Sequence, residues 1–107
     1  MRLMTAALLS LALSGVARAD DITPIWTKQC KSCHGMDGKA DTETGRKNKT
    51  PDITTEKWQS NPKHTDAWIR DVIANGIPKT KMKAYSEKLS GEQIDALVAH
   101  VRSLKAS

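Results

Sequence analysis

Within five residues, Cys30-Lys31-Ser32-Cys33-His34, the chain places both of its cysteines and one of its three histidines. Residues three and four apart are neighbours on a helix surface. If this segment is helical, both sulfurs and the imidazole serve one side of it. A disulfide between the two cysteines would close a tiny loop and constrain the unfolded chain little. The cluster is therefore better suited to holding something than to stapling the fold.

The need for such a partner follows from size. Met1-Arg2 is a short basic start, Leu3 to Val16 is apolar or small, and Ala17-Arg18-Ala19 fits a small-x-small cleavage site. That three-part pattern reads as a signal peptide over residues 1–19; its apolar run is too short to span a bilayer comfortably, and an uncleaved anchor is the alternative. Cleavage after Ala19 leaves Asp20 to Ser107, 88 of the 107 residues, as one domain. A chain of that length is marginal for a purely protein core, and it has no Phe, one Tyr and three Trp. Domains this small usually add disulfides, a metal or a cofactor. Removing Arg2 and Arg18 from the 17 Lys+Arg leaves 15 against 12 Asp+Glu, a mild net charge of +3. This suits acidic protein surfaces. No aromatic-basic stripe accompanies it, so nucleic acid is not the expected partner.

The mature chain reads as all-α. Thr23-Pro24 starts a first helix through Cys33, with Thr23 as cap and Pro24 in the first turn; Gly35 and Gly38 end it. Met36 to Ser60 reads mostly as loop, with Pro51 as a turn. Thr65-Asp66 starts a second helix whose apolar positions Trp68, Ile69, Val72 and Ile73 recur at helical spacing, and Asn75-Gly76 stops it. Ile77 to Lys88 is a loop with a basic run. Ser90 and Gln93 form a capping box opening a third helix to about Leu104, with Ile94, Leu97, Val98 and Val101 on one face.

Cys30-x-x-Cys33-His34 is the attachment signature of a c-type haem, with Cys30 and Cys33 as thioether donors and His34 as iron ligand. A thioredoxin-like reading needs a preceding strand and a βαβ context, which the pattern lacks. A zinc site needs four ligands, and adjacent Cys33 and His34 would crowd one tetrahedron. A plain structural disulfide leaves His34 and the small core unexplained. For the second iron ligand, Met36 is too close to His34 to reach the opposite haem face. Met82, in the loop between the second and third helices, is the candidate, and its thioether would raise the reduction potential; the plain alternative is packing. His64 and His100 read as surface or packing residues. Lys79, Lys81 and Lys83 flank Met82 and compete for the iron once deprotonated.

With these residues in place, the stretch Asp21 to Leu104 resembles a class I cytochrome c. The resemblance is carried by Cys30-Lys31-Ser32-Cys33-His34-Gly35-Met36-Asp37-Gly38, by Asn75-Gly76-Ile77-Pro78 with Met82-Lys83-Ala84-Tyr85, and by Leu89-Ser90-Gly91-Glu92-Gln93-Ile94 leading to Ala99-His100-Val101-Arg102-Ser103-Leu104. It implies three helices around one covalent haem c, with His34 and Met82 as axial ligands, and a crossing of the first and last helices at Trp26 and His100. It also implies that the Pro51 carbonyl accepts a hydrogen bond from the second ring nitrogen of His34. Trp58 or Trp68 could hydrogen-bond a haem propionate through its indole N–H; the alternative for both is core filling, which suits Trp68 on its apolar helix face, and Tyr85 packs beside the haem. Lys83 replaces the proline that many relatives carry after the methionine.

The expected function is one-electron transfer in the periplasm or an equivalent extracytoplasmic compartment by a monomeric, non-enzymatic carrier. Its partners would be redox proteins with acidic docking surfaces, met through lysines 28, 31, 79, 81 and 83, for which ordinary solvated charge is the alternative. Two other functions are compatible with the same residues: a haem enzyme or gas sensor with a labile sixth ligand, and an electron-transfer subunit of a dehydrogenase or oxidase.

Overall fold

A computed structural model of the protein describes residues 22–106; the expected signal peptide lies outside them. The described residues are helical, with no strand among them, and the fold is all-α. The first helix is a composite. It begins as α1 (Ile22–Ile25), widens into a π-helical turn over Trp26–Cys30, and returns to α geometry in α2 (Lys31–His34). The π turn is closed by the Lys31 amide donating to the Trp26 carbonyl, five residues back. Helix is already formed at Ile22, so Pro24 sits inside the first turn, where its missing N–H costs nothing.

The segment expected as loop contains two single-turn helices, α3 (Glu43–Lys47) and α4 (Glu56–Gln59). Each is opened by a threonine in extended conformation: Thr42 Oγ1 accepts from the Gly45 amide, and Thr55 Oγ1 from the Trp58 amide. A glutamate follows each cap, where the helix dipole favours negative charge.

The other two long helices match the sequence reading. α5 (Asp66–Asn75) is capped by Thr65 and ends at Gly76, and α6 (Gly91–Ser103) opens with the Ser90–Gln93 capping box, both arms formed. The core lies between the first, fifth and sixth helices and contains Trp26, Ile69, Ile73, Ile94, Leu97 and Val101. Trp26, 2% exposed, meets the His100 ring at a 59° tilt with centroids 4.7 Å apart, so the opening and closing helices cross where expected. Arg102 braces the last helix against the middle of the chain, donating to Asp66, to the Gln59 carbonyl and to the His64 carbonyl.

Candidate functional site

A cleft of about 220 Å³ opens beside the end of the first helix. Cys30, Cys33 and His34 line it, as does Met82 from the loop after α5. Apolar side chains of α5 and α6, among them Ile69, Ile73, Leu97 and Val101, close the back. Pro51 and Trp58 also line it. Six of the seven residues expected at the site thus share one cavity. The seventh, Tyr85, is not among the lining residues. It is buried, and its hydroxyl donates to the Gln29 carbonyl at 3.1 Å.

The cysteine wall is fixed from behind. The Thr42 hydroxyl sits 2.8 Å from the Ser32 carbonyl oxygen and 3.1 Å from that of Cys33, so its one proton is shared between two C-terminal carbonyls of α2. Gly45 then packs so closely that a Cβ there would collide with the Cys33 carbonyl and lie 2.8 Å from the Ala40 carbonyl oxygen. The following loop hangs from this turn, the Thr50 amide donating to the Gly45 carbonyl. That places Asn48 with its side-chain nitrogen 3.9 Å from Cys33 Sγ. The turn at Pro51 is set by Asp52, whose carboxylate accepts from both the amide and the hydroxyl of Thr54.

The Met82 wall is hung from α5. Gly76 has φ +75°, a conformation glycine adopts without a Cβ clash, and a side chain there would meet the Met82 carbonyl oxygen at 2.6 Å. The Ile77 amide donates to that same carbonyl, and the Met82 amide donates to Thr80 Oγ1. Met82 is half-buried, packed against the core. Met36, by contrast, is 50% exposed, with its sulfur 3.7 Å from the Thr27 hydroxyl.

Trp58 and Trp68 both line the cleft, and the His64 ring rests against each, with centroids 4.4 and 4.7 Å away. His64 Nδ1 lies 2.8 Å from the Trp58 carbonyl, which can only accept, so Nδ1 carries the proton. His64 is engaged as a packing residue. Asn48, Thr50 and Thr80 also face the cleft, and the sequence reading missed them. The Thr42-Glu43 and Thr55-Glu56 pairs are the N-cap signals that would have revealed the turns positioning the 48–58 segment.

The electrostatics follow from burial. Cys30 and Cys33 are free thiols, and burial pushes the Cys30 thiol up to about 11. Burial also lowers the His34 pKa, favouring the neutral imidazole that can ligate a metal. His34 Nδ1 is buried without a hydrogen-bond partner. Pro51 lines the same cleft, yet its carbonyl does not receive the bond from Nδ1 that the family resemblance implies. Two thiols, a neutral imidazole with an unengaged nitrogen and a thioether, all facing an apolar cleft, are chemically suited to a covalently held haem.

The comparisons agree with this chemistry. Residues 17–101 match the family model described as cytochrome c oxidase, cbb3-type, subunit III. A solved structure, the KustC0563 c-type cytochrome, superposes with a TM-score of 0.72 at 34% sequence identity, over 80% of this chain and 99% of that one. No curated protein matches. A matched family model over most of the chain, a superposing c-type cytochrome and an all-α fold that leaves a cysteine- and histidine-lined cleft together place the chain in the c-type cytochrome family, whose members carry electrons on covalently bound haem.

Proposed function

We propose that the protein is an extracytoplasmic one-electron carrier with a single haem c, attached through Cys30 and Cys33 and ligated by His34 and Met82. When bound, the haem supplies reversible one-electron exchange at its iron. The protein's residues do the rest. The apolar wall of Ile69, Ile73, Leu97 and Val101 excludes water, which limits reorganisation on electron exchange and favours the less charged ferrous state. The Met82 thioether adds to that preference. The single observation that carries this reading is the shared cleft, lined both by Cys30, Cys33 and His34 and by Met82.

Residues 1–19 act in this reading as the export signal, and 20–107 as the mature domain. Among the described residues no helix is long and apolar enough to cross a membrane. The exposed lysines at 28, 31, 79, 81 and 83 would guide acidic redox partners toward the cleft mouth. A second reading is favoured by the family match: this domain passes electrons into a larger oxidase. Elution of the protein with an oxidase complex from gently solubilised native membranes would select it over the free carrier.

The test is spectroscopic. The pyridine-haemochrome spectrum of the matured protein counts thioether bonds, and two are expected. The oxidised protein should show a sulfur-to-iron charge-transfer band that Met82→Ala abolishes. The same substitution should lower the midpoint potential by at least about 60 mV, a tenfold shift for a one-electron couple. A variant that keeps both band and potential would defeat the Met82 assignment. Rapid carbon monoxide binding by the unaltered ferrous protein would instead favour a sensor or enzyme with a labile sixth position.

A further inference from the structure

The two walls of the cleft come from distant parts of the sequence, and something must hold them at a fixed separation. The Met82 loop is anchored at its base: the Tyr85 amide donates to the Ile73 and Ala74 carbonyls and the Ser86 amide to that of Ala74, all at the end of α5. Those bonds fix the loop to α5, not to the helix bearing the cysteines. Tyr85 crosses that gap. Three residues after Met82, its ring is buried and its hydroxyl donates to the carbonyl of Gln29, the residue before Cys30.

The acceptor lies in the π turn, over Trp26–Cys30. A π turn carries one residue more than an α turn, so the amides beyond it do not meet the carbonyls in the usual register. A carbonyl there is suited to a side-chain donor arriving from outside the helix. The same turn brings Cys30 to its position at the start of α2, as N-cap residue with φ −117°. The π turn and the tyrosine hydroxyl thus meet one residue from the first attachment cysteine.

We infer that Tyr85 is a positioning residue: its hydroxyl ties the Met82 loop to the attachment helix and so sets how firmly the methionine is held opposite His34. This rests on the proposed His34–Met82 ligation. The role differs from packing beside the cofactor, because it acts through one hydrogen bond and through the loop. Without the hydroxyl, the loop keeps its α5 anchor but loses its link to the opposite wall. Dissociation of the sulfur from the iron then becomes easier, and an external ligand enters more readily.

The test is Tyr85→Phe in the matured holoprotein. It keeps the ring and its packing and removes one oxygen. Imidazole is titrated into the ferric protein, and its apparent affinity is compared between wild type and variant. Loss of one hydrogen bond should raise that affinity about fivefold to tenfold. The sulfur-to-iron band should persist in the variant without imidazole but be lost at correspondingly lower imidazole concentration. Urea denaturation is measured alongside. A lower unfolding midpoint with unchanged imidazole affinity would make Tyr85 merely structural and overturn the inference. So would an affinity unchanged in every respect. Absence of the sulfur-to-iron band in the wild type would overturn the ligation reading itself, a result distinct from either.

Discussion

The helix crossing at the back of the molecule and the pair of loops over the cleft are built on different principles. At the crossing, Trp26, Ile94, Leu97 and Val101 are almost fully buried, and Trp26 meets His100 ring to ring. Burial dominates that region, each large side chain contributing roughly 1.5–3 kcal/mol, with the Trp26 indole N–H donating to the Gly35 carbonyl. The loops 48–51 and 77–82 contain no buried residue, Asn48, Thr50 and Met82 being half-buried and the rest exposed, and backbone and side-chain hydrogen bonds hold them at a few points: Thr50 to Gly45, Ile77 to Met82, Met82 to Thr80. Two of their residues, Lys49 and Lys79, adopt left-handed backbone angles without being glycine. One region is rigid because it is packed. The other is held by a few bonds and some strain, as expected of chain that must accommodate a large cofactor.

The sharpest way to break that contrast is to damage the packed region alone. Ile94 is 3% exposed and belongs to the core without lining the cleft. Ile94→Ala should destabilise the holoprotein by about 2–5 kcal/mol, the usual cost of such a cavity. Its visible spectrum at moderate temperature should stay that of wild type. Chemical denaturation followed by both tryptophan fluorescence and haem absorbance checks this. A changed spectrum in the folded variant would mean that crossing and cleft are one cooperative structure, not two.

The same contrast explains what could be read in the sequence. α5 and α6 were legible because burial writes itself as helical periodicity, and because Thr65, Gly76 and the Ser90–Gln93 box punctuate the ends. Cys30, Cys33, His34 and Met82 stood out because haem chemistry calls for those residue types at such spacing, and the structure brings all four to one cleft. The π turn at Trp26–Cys30 was not, since one extra residue in a turn leaves no mark in hydrophobic spacing. Single-turn helices α3 and α4 are too short for periodicity, and only their threonine caps betray them. Tyr85 was read as a neighbour of the haem because its position after Met82 suggested it. That its hydroxyl reaches across to Gln29 depends on tertiary packing over a separation of 56 residues.

A smaller effect tests the crossing from its polar side. His100 Nε2 is buried without a partner, and burial lowers the His100 pKa below its ordinary value. The unfolded chain therefore binds a proton more readily than the folded one. The associated stability is fully present above the ordinary histidine pKa of about 6.5 and is lost as pH falls through the lower folded value. His34, shifted the same way, adds to this slope only where its imidazole is free to protonate. His100→Phe keeps a ring against Trp26, a contact of about 0.5–1.5 kcal/mol, and removes the titrating group. Unfolding midpoints measured from pH 7.5 to 5 should fall less steeply in the variant. Parallel slopes would show that protonation of His100 costs the crossing nothing.

The smallest expected effect lies on the loop side. Lys79 has φ +68°, a backbone region that costs a residue with a Cβ roughly 1–2 kcal/mol. Lys79→Gly relieves that strain but gives the unfolded chain more freedom, which takes back about 0.4–1 kcal/mol. The net gain should be under about 1 kcal/mol, seen as a slightly higher denaturation midpoint. Lys79→Ala is the necessary comparison: it removes the same charge and keeps the strain, so it should not stabilise. If both variants shift the midpoint equally, the lysine's charge governs the loop and backbone strain does not. If only glycine raises it, the cleft mouth holds stored strain that the packed crossing lacks.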